Sequence, residues 1–185
     1  IACPHPLLAR RVGLSPGTAA GAVLGDDELD VLREAYVAAA SLAADLGFDF
    51  VDVKACHGYL VHELLGARQR PGRFGGALEG RSRFLLEVLE ATATARPALG
   101  LAVRLSVFDG PPYTAGPDGV GRPERTGPGE PAPPAPFGAS DEPLEGAEVD
   151  SLIGRLRDVG VAMVCVSAAS PYYNPHLQRP ALFPP

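Results

Sequence analysis

Residues 51–65, VDVKACHGYLVHELL, set Lys54, Cys56, His57 and Tyr59 at the end of an apolar run. Lys54 has two readings: half of a buried ion pair with Asp52, two residues back, or a catalytic amine, including a Schiff-base one. His57 alone reads as a structural or capping histidine, and Tyr59 as a half-buried aromatic with a satisfied hydroxyl. A Cys56–His57 nucleophilic pair is disfavoured because adjacent strand residues point to opposite faces. His62 and Glu63 fall in the following turn as surface or packing residues, and Cys56 with His62 lacks the spacing of a metal site. Arg104 interrupts another apolar run, LGLAVRLSV, and a guanidinium there needs an acceptor, either Asp52 or a ligand.

The elements that must carry these groups alternate. Asp26 and Asp27 can cap a helix, DDELDVLREAYVAAASLAADLG, that Gly47 ends. FDFVDV follows as a strand, a second helix spans about Arg81 to Ala95 before Pro97, and LGLAVRLSV is the next strand. A Pro/Gly-rich stretch over 109–147 has no periodicity and reads as a long loop, with the glycines of GPDGVG inside it. EVDSLIGRLRDVG then predicts a helix and VAMVCVSA a strand, and SPYYNPHLQRP closes as a loop whose Pro171, Tyr172, Tyr173 and Asn174 are loop residues or the lining of a ligand mouth. Gly75 and Gly76 read as a tight turn, with Glu79 favourable in the first turn of the helix after it. The chain thus divides into an arm (1–25), a helix–strand–helix–strand core (26–106), a loop insertion (107–147), a helix–strand unit (148–170) and a terminal loop (171–185), all within one domain.

Such alternation predicts right-handed βαβ units, a parallel sheet and chemistry at the carboxyl ends of its strands. No GxGxxG opens a helix after a strand, and three strands end in the polar or reactive groups Lys54, Arg104 and Ser167. These features favour part of a (β/α)8 barrel, since a whole one takes about 250 residues. On the first strand Asp52, Lys54 and, if the strand continues, Cys56 share one face, while Val51 and Val53 face the helices. An initial Ile1 and a terminal ALFPP are also expected of an excerpt.

A formal net charge of -6 disfavours a nucleic-acid or anionic-membrane partner. Three widely spaced cysteines fit neither a disulfide framework nor a zinc pattern and point to a reducing, cytoplasmic setting.

Together, GFDFVDVKACHGYLVHELL, RPGRFGGALEGRSRFLLEVLEA and LAVRLS resemble the Old Yellow Enzyme family of NADH:flavin oxidoreductases, which are FMN-containing TIM barrels. The resemblance runs from about Asp27 to Ser106 and more weakly through GVAMVCVSA. It implies that Lys54 and His57 occupy the positions of the pair that bonds the substrate carbonyl, that Tyr59 matches the proton donor, and that Arg104 matches the arginine at the pyrimidine side of the flavin. The implied chemistry is hydride transfer from NADH or NADPH through FMN to an electron-poor alkene, a small-molecule substrate, and a homo-oligomeric assembly is compatible with it. Convergence of these groups requires the chain to leave strand alternation after Lys54. Lys54 stands where the best-known members have His, and the family's YGGSLENR appears as FGGALEGR, with Phe74 and Gly80 among the changes. The first barrel strands and the last two, with their flavin-ring and phosphate contacts, are expected to be missing, so the segment alone is expected to bind FMN poorly. Two rivals are a non-catalytic barrel relative with a Lys54–Asp52 pair and a lyase or aldolase with a Schiff base on Lys54.

Overall fold

A computed structural model describes residues 1–3, 9, 13, 22–108, 112–124, 146–168 and 170–172. Helix α1 spans Asp26–Asp45, strand β1 Phe50–Ala55, helix α2 Leu60–Leu65, helix α3 Leu78–Ala95 and strand β2 Gly100–Phe108. A hairpin of β3 (Tyr113–Ala115) and β4 (Gly121–Pro123) follows, then helix α4 (Ala147–Asp158) and strand β5 (Met163–Ala168). β1, β2 and β5 form one parallel sheet in that order, with Lys54 beside Arg104 and Arg104 beside Cys165. The alternation of helices and parallel strands is as expected from the sequence, and each strand-to-strand connection carries a helix.

The register sorts side chains by face. Val53, Ala55, Leu101, Val103 and Leu105 point to the helices and join one apolar core with Leu29, Phe84, Leu85, Val88, Leu89, Leu152 and Leu156. The α3 members recur every three or four residues, which lays one stripe of that helix on the sheet. α1 packs beside it through an edge-to-face contact of Tyr36 on Phe84, with centroids 5.8 Å apart, and through the Arg33–Glu87 ion pair at 2.9 Å. Asp52, Lys54, Ala102, Arg104, Cys165 and Ser167 take the opposite face by the same alternation.

Three expectations are corrected. The cap of α1 is Gly25, whose amide donates to Glu28 at 2.8 Å, and Asp26 and Asp27 lie in the first turn. The stretch 109–147 is not structureless throughout: Pro117, Asp118 and Gly119 turn a hairpin, with Gly119 at φ +74° and its amide donating to Gly116. The remaining expectations for that loop, for much of the 1–25 arm, and for Tyr173 and Asn174 lie outside the described residues. His62 and Glu63 belong to a short helix, α2, rather than a turn: His62 is fully buried, and Glu63 accepts the Ala2 amide at 2.7 Å.

Around the sheet rim, arginines tie the long βα connection to the helices. Arg81, 1% exposed, donates to the carbonyls of Gly76 and Leu65 and to Glu148 in the first turn of α4. The glycine run is close-packed: a Cβ on Gly80 would stand 2.1 Å from the Gly75 carbonyl oxygen, so this chain has no room there for the family's asparagine without a backbone shift. Phe74 is fully buried against Phe84, 5.9 Å between centroids, which suits a ring without a hydroxyl.

Asp26 accepts from Arg70 at 2.6 Å and from the Arg73 amide at 2.8 Å. Burial raises its pKa, but the Arg73 amide and the Arg70 guanidinium outweigh it and hold the carboxyl below its ordinary value. A depressed folded-state pKa means that the carboxylate contributes stability above its unfolded pKa and loses it as pH falls through the folded one. Asp26→Asn is expected to cost about 1 kcal/mol at neutral pH, with the gap to wild type closing at an acidic pH well below the ordinary carboxylate range. Urea unfolding at both pH values checks this, and an equal gap at both would contradict an ionic role.

Candidate active site at the strand ends

β1 stops at Ala55, and the chain then departs from strand geometry. His57 adopts φ +60°, a left-handed conformation uncommon outside glycine, and Gly58 follows at φ +74°. The departure expected after Lys54 is therefore present. The Gly58 amide donates to Nδ1 of His62 at 2.8 Å, so a buried histidine one helical turn on pins the bend.

The bend folds Tyr59 back over the strand end. The Lys54 ammonium lies 3.5 Å from the centre of the Tyr59 ring, a cation–π contact. His57 Nε2 stands 2.7 Å from Ser167 Oγ at the end of β5. Tyr172, from the loop after β5, sets its ring edge-on to His57 at 6.4 Å and tilted to Tyr59 at 6.3 Å. The two tyrosine hydroxyls are 3.4 Å apart, a long hydrogen bond that pushes the Tyr172 phenol above its ordinary value. Lys54, His57 and Tyr59 thus come together around Tyr172, from β1 and the loop after it.

Arg104 is on the same face, one strand over from Lys54. It is 46% exposed rather than buried, and its Nη2 donates to Asp52 at 2.9 Å. Asp52 therefore pairs with Arg104, and among the described residues no carboxylate pairs with Lys54. Of the two readings of Lys54, the Asp52 ion pair is not formed. Cys56 is fully buried; burial pushes its thiol up, and the pull of Lys54 and Arg104 does not reverse this. A protonated thiol is no nucleophile, which argues against a Cys56–His57 nucleophilic pair.

His62 is the residue whose role sequence reasoning misses. The only available signal is its spacing, four residues after Gly58 and so one turn into a helix that begins at Leu60. Ser167 was visible as a polar strand end and Tyr172 as a mouth aromatic, but neither partner could be read from the sequence because both contacts span more than 100 residues.

Reactive groups at the carboxyl ends of parallel strands, on the face opposite the helices, define a segment of a (β/α)8 barrel. Residues 19–118 match the model of the NADH:flavin oxidoreductase / NADH oxidase family, and the chain belongs to that family. It is 39% identical over 87 residues to the putative 12-oxophytodienoate reductase-like protein 2A of Arabidopsis thaliana, covering 46% of this chain and 32% of that protein. It is 32% identical over 111 residues to the NADH:flavin oxidoreductase FG08077 of Gibberella zeae, covering 58% of this chain and 26% of that one. Among solved structures, morphinone reductase superposes with a TM-score of 0.54 at 29% identity, covering 77% of this chain and 32% of its own. A 2-naphthoyl-CoA reductase complex superposes with a TM-score of 0.57 at 19% identity, which bears on fold alone. The chain therefore spans about a third or less of the length of these relatives.

His62→Leu puts an apolar side chain of similar size in the buried position and removes the acceptor of the Gly58 amide. Exchange of that amide is expected to accelerate about tenfold or more, with the protection of α3 amides unchanged. Hydrogen exchange followed by NMR reads this; unchanged protection at Gly58 would show that the bend holds without His62.

Proposed function

We propose that the protein to which this chain belongs is an FMN-dependent oxidoreductase that uses NADH or NADPH to reduce an electron-poor alkene conjugated to a carbonyl. The observation that carries this reading is the convergence of Lys54, His57 and Tyr59 at one strand end, beside Arg104, in a chain of this family. Morphinone reductase, solved with tetrahydroNAD bound, and the reductases among the relatives support the nicotinamide and the reaction class.

One residue of the inner face supports a flavin. Arg104 offers a half-exposed guanidinium whose partner among the described residues is Asp52, and the small Ala102 lies one pleat before it. A cation there suits the negative charge of a reduced isoalloxazine edge. Bound FMN would supply the two-electron relay between nicotinamide and alkene.

The remaining work falls to this chain's own side chains. Lys54 and His57 donate to the substrate carbonyl oxygen and draw electron density from the alkene, with Ser167 orienting the His57 ring as a positioning residue. Tyr59 gives a proton to the carbon next to the carbonyl. Tyr172, whose hydroxyl lies 3.4 Å from that of Tyr59, is placed to return one.

This division of labour separates the two half-reactions. Tyr59→Phe is expected to slow alkene reduction about a hundredfold or more, while nicotinamide-driven bleaching of the flavin keeps its wild-type rate. Stopped-flow absorbance of the protein from the complete reading frame, with 2-cyclohexenone as acceptor, measures both rates. Loss of both together, or of neither, would contradict the role of Tyr59.

A further inference from the structure

The charge balance at the strand ends points to a narrower substrate class. Asp52, Lys54 and Arg104 line one face, and Asp52 is already held by Arg104 at 2.9 Å. That leaves the Lys54 ammonium as a cation whose neighbour is an aromatic ring rather than a carboxylate. The ring is Tyr59, which is 49% exposed, so the ammonium rests at an open mouth and not in the core. Lys54 and His57 already match the two lone pairs of a single carbonyl oxygen, and Tyr59 and Tyr172 bring two further hydroxyls to the same strand end. A carboxylate has two oxygens and roughly four acceptor sites, and it carries the charge that no carboxylate among the described residues brings to Lys54.

We propose that the substrate bound here activates its alkene through a carboxylate, an α,β-unsaturated acid, with Lys54 as its counter-ion. This rests on the function proposed above. A carboxylate is a poor activating group in water because its negative charge opposes hydride addition to the alkene. An ammonium on the carboxylate offsets that charge, whereas a neutral imidazole in the same place would not. The overall balance is unchanged: one hydride equivalent from NADH or NADPH and one proton add across the carbon–carbon π bond, the nicotinamide is oxidised, and the carboxylate is retained. Tyr59 and Tyr172 supply hydrogen bonds to the second oxygen or the proton to the α-carbon from the same edge of the site.

The test uses trans-cinnamate and its neutral isostere trans-cinnamamide, titrated calorimetrically into the protein from the complete reading frame at pH 7. Wild type is expected to bind cinnamate about tenfold or more tightly than the amide, K54R to keep that preference, and K54M to bring the two within about twofold. Equal affinities in wild type, an undiminished preference in K54M, or no heat from either ligand with folded protein would overturn the proposal. The two levels separate cleanly. Reduction of 2-cyclohexenone without a carboxylate preference overturns this inference and leaves the function standing. Lys54-dependent binding of cinnamate without turnover of any alkene overturns the function, and with it the substrate reading, and leaves only a carboxylate-binding lysine.

Discussion

The candidate site depends on one hydrogen bond, from the Gly58 amide to Nδ1 of the buried His62. A parallel strand sends successive side chains to opposite faces, so Lys54 and His57 on a continuing strand would be separated by the sheet. The chain avoids this by ending β1 at Ala55 and accepting φ +60° at His57 and φ +74° at Gly58. A left-handed histidine costs roughly 1–2 kcal/mol, and a bond made inside the core is well suited to hold it. Once the bend is fixed, Tyr59 falls over Lys54, and His57 reaches across the sheet end to Ser167. Geometry that serves chemistry is thereby set by a side chain that touches none of it.

The sheet supplies the other half of the arrangement. Its outer face is apolar and buried under α1, α3 and α4, while its inner face carries Asp52, Lys54, Arg104 and Ser167, with Lys54, Arg104 and Cys165 in register across the three strands. The register shift in β2 between Ser106 and Phe108 lies at this same end, where irregularities commonly re-aim side chains. Arg81 and Asp26 keep the long connection after α2 against the helices, and so stabilise the frame without entering the site. Stability and reactivity are thus assigned to different faces of one sheet.

Much of this was legible in the sequence because it is local. Apolar periodicity and turn residues located α1, α3, α4 and the three parallel strands within a few residues, and the motif around Lys54 pointed to the family that the 19–118 match shows. What escaped was either short or distant. α2 is a six-residue helix without a side-chain cap, and the hairpin within the 109–147 stretch has strands of three residues, too short for periodicity to register. Lys54 and Asp52 are two residues apart and invited pairing, but the strand-to-strand register offered Asp52 a better partner in Arg104. Exposure of Arg104 is likewise a property of the assembled face and not of its apolar neighbours in the chain.

The central claim is that this strand end belongs to a flavin site. The most direct test is the visible absorption spectrum of the protein purified from the complete reading frame, before and after anaerobic addition of NADPH or NADH. The account predicts oxidised-flavin bands that bleach with the nicotinamide. A folded, colourless protein that takes up no added FMN would contradict it.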